Sequence, residues 1–202
     1  MGATILIALY VACELIANVT ASKPIAVLGF VAPGGVFIYA LTFTLIDLIN
    51  ESMGKVGARR VVYAAFVANV LLALYAGLMV TLPAPAYYIG QASYAAVLGS
   101  TPRIVLASLT AYVVSSLMDV EIFAWWKERV GRYRWARVMV SNAVSTFVDS
   151  VVFVGIAFAG VLPLLPLIAG QYVIKMTITV VSIPLIYLAR NTLREPASHP
   201  PT

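Results

Sequence analysis

Only one cysteine, Cys13, and one histidine, His199, occur among 202 residues, and charged side chains make up just 10% of the chain. A lone cysteine inside an apolar run excludes a disulfide framework, a CxxC redox pair and a cysteine-based metal site. His199 lies in the proline-rich tail EPASHPPT, where disorder is expected and a functional role is not. No GxGD-type, HExxH or nucleophile-elbow pattern flanks the acidic residues, so a two-aspartate intramembrane protease has no motif behind it. No enzyme, cofactor or metal is expected. The scarcity of charge is itself decisive. Soluble domains run at roughly 25% charged and about 45–50% apolar residues, whereas 62% of these are hydrophobic. The chain reads as an integral membrane protein.

A spanning helix needs about 20 mostly apolar residues. Six runs meet that need, at residues 3–22, 34–50, 61–82, 103–124, 136–160 and 164–189. They are too long and continuous for the alternating segments of about ten residues of a membrane barrel. The fold class is therefore an all-α membrane protein with six transmembrane helices in one domain, residues 1–190, followed by a flexible tail, 191–202. The first run lacks a basic flank and a small-residue cleavage site, so it is expected to stay in the mature protein. Thr101 is placed to cap the fourth helix, with Pro102 at its first position. PAPAYYIG (83–90) reads as a loop, and Pro184 is expected to kink the sixth helix.

Basic residues set the orientation. Ten lie at one side: Lys55, Arg59 and Arg60 after the second run, Lys127, Arg129, Arg132, Arg134 and Arg137 after the fourth, and Arg190 and Arg194 after the sixth. The other side holds Lys23 and Arg103. The positive-inside rule then puts both termini in the cytoplasm of a multi-pass cell-membrane protein. Topology and anionic lipid account for the net charge of +5, with no nucleic-acid footprint. Trp125 and Trp126 read as interfacial anchors.

Polar groups at membrane depth are the candidate functional residues. SSLMDVEIF (115–123) and STFVDSVVF (145–153) repeat one pattern thirty residues apart: serine, hydroxyl, two apolar residues, aspartate, and phenylalanine four further on. Helical spacing puts Ser116, Asp119 and Phe123 on one face, and Asn142, Thr146, Asp149 and Phe153 on another. Glu14 and Asn18 share a face of the first run, as Asp47, Asn50 and Glu51 do at the inner end of the second. Asn69, Gln171 and Lys175 complete the set. A charge at the bilayer centre costs about 2.5–3.5 kcal/mol, so these groups are expected to converge on an interior site. Pairing of Asp149 with Lys175, as helix glue, is the simpler alternative.

LTFTLIDLINESMGKVGARRVVYAAFVAN (41–69), SSLMDVEIFAWWKERVGRYRWARVMVSNAVSTFVDSVVFVGIAF (115–158) and QYVIKMTITVVSIPLIY (171–187) resemble the queuosine precursor transporters, within the vitamin-uptake group of small six-helix membrane proteins. That family often has glutamine three residues before the aspartate of both repeats. Ser116 and Thr146 hold those places here. The resemblance implies a small-molecule cargo, a 7-deazapurine such as 7-cyano- or 7-aminomethyl-7-deazaguanine, salvaged for queuosine or archaeosine in tRNA.

The residues fit such chemistry. A guanine-like edge offers a ring N–H and an amine side by side, which one carboxylate accepts as a pair, and aromatic walls stack on the ring. Asp119 and Asp149 are the expected recognition groups, with Ser116, Thr146 and Asn142 as further hydrogen-bonders and Phe123 and Phe153 as walls. Asp47, Gln171 and Lys175 belong to the same expected site. Asn50, Glu51 and Arg59 form a cytoplasmic edge that either gates release or simply ends a helix in salt bridges. Membrane lipid is the other partner, a homodimer is compatible with the sequence, and partner ATPases are not expected to be required. The alternatives are a substrate-binding subunit of an energy-coupling-factor vitamin importer and a purely structural membrane scaffold.

Overall fold

The computed structural model describes the backbone of residues 2–129 and 134–193, and side chains except those of 119–120, 123–139, 141 and 182–193. Its elements in chain order are α1 (Ala3–Thr20), β1 (Pro24–Val27), β2 (Phe30–Pro33), α2 (Val36–Thr81), α3 (Gln91–Leu98), α4 (Thr101–Arg129), α5 (Arg134–Phe158) and α6 (Leu164–Leu193). Among the described residues, four helical stretches are long and apolar enough to cross a membrane: Ala3–Thr20, Val36–Thr81, Gln91–Met118 and Leu164–Val181. The shorter apolar helix Asn142–Phe158 joins them. Val67, Leu71 and Leu74 are each about two-thirds exposed on the outside, the surface that lipid, unlike water, accepts. The chain is a multi-pass membrane protein.

The second and third apolar runs are joined by helix rather than by an irregular loop. Residues 51–60 are helical apart from Gly54, whose φ of 71° and ψ of 175° break the ladder. Glu, Met, Lys, Ala and Arg in ESMGKVGARR are good helix formers, so helix persists up to the one residue free to adopt this nearly glycine-only conformation. The chain reverses there. Asn18 is hydrogen-bonded to Asn69 and lines a cavity with Val36, yet 33 residues of straight helix would separate Val36 from Asn69 by about 50 Å.

Between the first two runs the chain forms an unexpected hairpin. β1 and β2 pair antiparallel from Pro24 with Pro33 to Val27 with Phe30. Positive φ at both Leu28 and Gly29 is what a two-residue type I′ turn needs. β2 lies against α6, and Gly170 lets it approach, because a Cβ there would overlap the backbone of Val31. The helix α3 is a second addition, in the segment after the PAPAYYIG loop, and Gln91 Nε2 donates to the carbonyl of Val80 at 3.1 Å.

Thr101 is a correction. It is the first residue of α4 rather than its cap, and its buried hydroxyl makes no hydrogen bond. The N–H of Ile104 instead donates to the carbonyl of Ser100 at 3.0 Å, so the helix starts one residue earlier than the proline alone suggests. At the same end Arg103 donates from Nε to Ile156 O (2.6 Å) and from Nη2 to Ala159 O (2.7 Å). It thus satisfies carbonyls that the last turn of α5 leaves open. α6 runs through Pro184 to Leu193, past residue 190, and residues 194–202, with His199, lie outside the described residues.

Two packed zones set the bundle. Leu6 and Tyr10 of α1 pack with Ile49, Ala58, Val61, Val62 and Ala65 on either side of the α2 reversal. Ala21, Ile104, Ala107, Val154, Ala157, Phe158 and Leu167 form the second, where α4, α5 and α6 meet the end of α1. Alanine is frequent in both, as close helix approach in lipid requires.

Candidate functional site

Between these zones the polar side chains converge. Lys175 Nζ lies 2.5 Å from Asp149 Oδ2, with only 4% and 11% of the two side chains exposed. The expected pairing is therefore formed, from the middle of α5 to the middle of α6. The ammonium also sits 4.5 Å from the ring centroid of Tyr39 on α2, where the ring's negative face favours a cation. Glu14, one turn before Asn18 on α1, lies close enough to both Lys175 and Asp149 to interact with them electrostatically. Asn18 Nδ2 donates to Asn69 Oδ1 at 2.6 Å, and Asn69 Nδ2 to the carbonyl of Ala65 at 3.0 Å. That pair is self-satisfied. It holds α1 against the second half of α2.

Asp149 and Tyr39 form a wall shared by two spaces of very different size. On one side is a cavity of about 30 Å³, lined among others by Asn18, Ser108, Phe153, Gln171 and Lys175. That is room for water. On the other is a chamber of about 340 Å³, lined by Tyr39, Phe43, Tyr112, Ser115, Ser116, Asn142, Ser145, Thr146 and Asp149. It falls in the size range of small-molecule sites, about 300–1,000 Å³. The chamber continues past Tyr112 and Ser116, which line both spaces, into a wider opening of about 440 Å³ that Asp47, Asn50, Lys55, Arg59 and Tyr63 help to line.

Helical register explains the sorting. Ser116 on α4 and Asn142, Thr146 and Asp149 on α5 share the chamber, as the i, i+3 and i+4 spacing anticipates. Phe153, one turn beyond Asp149, falls in the small cavity and packs edge-on against Phe158, with centroids 6.0 Å apart. Gln171 and Lys175 are there too, so neither they nor Phe153 line the larger chamber. Asp47, Asn50 and Arg59 line the wide opening, and Glu51 stands exposed beside Asp47. The side chains of Asp119 and Phe123 lie outside the described residues.

Three aromatic walls, Tyr39, Phe43 and Tyr112, were not expected from the sequence. Within apolar runs a tyrosine reads as core or as an interfacial anchor. Tyr39 and Phe43 do carry a local signal, since residues four apart share a face, and their rings meet edge-on at 5.5 Å. Among the described residues no group of three or more histidines, cysteines or acids is placed to hold a metal.

The arrangement offers an acceptor carboxylate, hydroxyl and amide groups, and flat rings around a chamber of ligand size. Sequence comparison agrees with a membrane carrier. The chain is 30% identical over 185 residues to a protein of Bacillus subtilis (strain 168) named "Probable queuosine precursor transporter", with 88% of this chain and 80% of that one covered. It is 26% identical over 145 residues to the "Queuosine precursor transporter" of Escherichia coli (strain K12), covering 70% of this chain and 62% of that protein. No solved structure matches it. The family described as "Putative vitamin uptake transporter" matches residues 33–189, more than three quarters of the sequence, and the chain belongs to that family.

Proposed function

We propose that this protein is a transporter that brings queuosine precursors across the cell membrane, taking 7-deazaguanine compounds such as the 7-cyano and 7-aminomethyl forms for synthesis of queuosine or archaeosine in tRNA. One observation carries the reading. A buried carboxylate, Asp149, forms part of the wall of a chamber of about 340 Å³ that also presents three aromatic rings and the polar side chains of Ser116, Asn142 and Thr146. The donor edge of the base pairs with Asp149, the rings supply stacking worth about 1–3 kcal/mol per base, and the short polar groups take the remaining heteroatoms. Asp119 is the second acidic group of the site, suited to a cationic aminomethyl substituent.

The proposed topology counts α2 as two crossings, before and after Gly54, for six in all. The basic clusters put the Gly54 reversal and both termini in the cytoplasm. In that frame the wide opening beside Asp47, Asn50 and Arg59 faces the cytoplasm, and the layer of Asp149, Lys175 and Tyr39 closes the outer side. The protein would then stand open inward, with release past Tyr112 and Ser116.

Thermal unfolding of the purified protein with 7-deazaguanines, guanine and a panel of vitamins tests the cargo. A ligand at 100 times its Kd adds about 2.7 kcal/mol. Selective stabilisation by a deazaguanine, lost in Asp149→Asn, is expected. A response to a vitamin alone would refute the reading. Uptake into vesicles containing only this protein is expected without partner ATPases, and a strict need for them would make it the binding subunit of an energy-coupling-factor importer.

A further inference from the structure

Glu14 is the acid that this binding reading leaves unused. It lines a space of about 10 Å³ with Tyr10, Tyr39, Ser108 and Tyr112. Tyr39 and Ser108 also line the small cavity that holds Lys175 and Asp149. Two carboxylates from different helices, α1 and α5, thus act on one lysine of α6, and the ring of Tyr39 borders the surroundings of both.

A bidentate donor edge needs both oxygens of Asp149, and Lys175 occupies Oδ2. Each carboxylate oxygen accepts up to two donors, but a ligand that engages both oxygens competes with the ammonium for Oδ2, and a buried cation drawn away from its partner is strongly unfavourable. Water fits the cavity of about 30 Å³ but supplies no countercharge. Glu14 borders Tyr39 and Ser108, which also line the cavity of Lys175, and its carboxylate acts on that lysine electrostatically, which removes the difficulty. We infer that Glu14 is the second acceptor for Lys175: a ligand arriving at Asp149 hands the lysine from α5 to α1. The ligand half of this statement rests on the proposed binding role of Asp149, whereas the lysine transfer does not. Glu14 is on this account a positioning residue. It keeps the cation neutralised while Asp149 engages cargo, and it converts occupancy of the chamber into a changed contact between α1 and α6.

The transfer is tested without ligand by a cycle of unfolding measurements on Asp149→Asn, Glu14→Gln and the double variant, in both the Lys175 and the Lys175→Met backgrounds. With Lys175 present, either acid alone retains the cation. Removing both is expected to lower the folding equilibrium constant about tenfold more than the product of the single effects, and Lys175→Met is expected to abolish that excess. Multiplicative losses, or an excess that persists without Lys175, would overturn the transfer.

The ligand arm uses 7-cyano-7-deazaguanine binding. Glu14→Gln is expected to weaken it about tenfold, with Glu14→Asp close to wild type and Lys175→Met restoring affinity in Glu14→Gln. Unchanged binding by Glu14→Gln would refute the coupling to cargo. A wild type that binds no deazaguanine refutes the binding reading instead, and the ligand-free cycle still decides whether Lys175 has two acceptors.

Discussion

Lys175→Met is the most informative single perturbation of the fold. The substitution keeps an unbranched apolar stem of similar length and deletes the ammonium, leaving Asp149 with one buried oxygen that had a cation at 2.5 Å. Breaking a buried pair from one side costs about 3–5 kcal/mol, because the remaining charge has lost both water and partner. Both side chains here are nearly nine-tenths buried or more, so the full range applies rather than the 0–1 kcal/mol of an exposed pair. Adding Asp149→Asn removes the stranded charge, and such replacements of a whole pair are often close to neutral. Unfolding by SDS titration in mixed micelles measures both variants. The single variant is expected to lose about 3–5 kcal/mol and the double variant to recover most of that loss. A single variant as stable as wild type, or a double variant no better than the single, would refute the assignment of this pair as a desolvated charge contact. Ligand stabilisation separates folding from recognition, since the recovered double variant lacks the acceptor and is expected to ignore deazaguanines.

Gly54→Ala places a Cβ at φ 71° and ψ 175° and is expected to cost about 1–3 kcal/mol, read in the same titration. A smaller loss would mean that the reversal tolerates an ordinary residue. Arg103→Met deletes two hydrogen bonds to the carbonyls of Ile156 and Ala159. A loss of about 1–3 kcal/mol is expected, with faster amide exchange confined to the junction of α4 and α5, and unchanged exchange there would count against the clamp. Asn69→Leu strands the buried amide of Asn18 at a cost of about 1–3 kcal/mol. Asn18→Leu in the same protein is expected to recover part of it, and no recovery would show that the two amides are not mutual partners.

Periodicity revealed most of this fold because lipid imposes it. Any segment that crosses must satisfy its own backbone, so long apolar runs are helices whatever their neighbours do. What periodicity cannot reveal is where a run ends when the stop is conformational. ESMGKVGARR has the charge of a loop and the propensity of a helix, and only the backbone of Gly54 decides that the chain turns at one residue. The hairpin at residues 24–33 was hidden for a related reason. Its turn is Leu-Gly rather than the Asn-Gly or Asp-Gly that marks such turns, and its second strand lies against α6 at Gly170, a neighbour far away in sequence.

The site divided along the same line. Ser116, Asn142, Thr146 and Asp149 were legible as one surface because spacing within a helix fixes a face, and the structure brings them to one chamber. Depth along the helix was not legible. One turn, 5.4 Å, carries Phe153 past the level of Asp149 and into the small cavity, on the Lys175 side of the wall. Spacing could not assign Tyr39, Phe43 and Tyr112 either, because their role comes from which helix stands opposite. The placement of Tyr39 is the instructive case. It lies three residues into α2, where α6 lays Lys175 over it. Its ring thereby becomes part of the partition between two cavities. The polar groups around it differ in what they border: Asn18, paired with Asn69, faces the small cavity, whereas Asp149 is paired and still borders the larger chamber. Under the proposed binding role, that combination is what separates Asp149 from helix glue, and it is a property of the assembled bundle rather than of any segment.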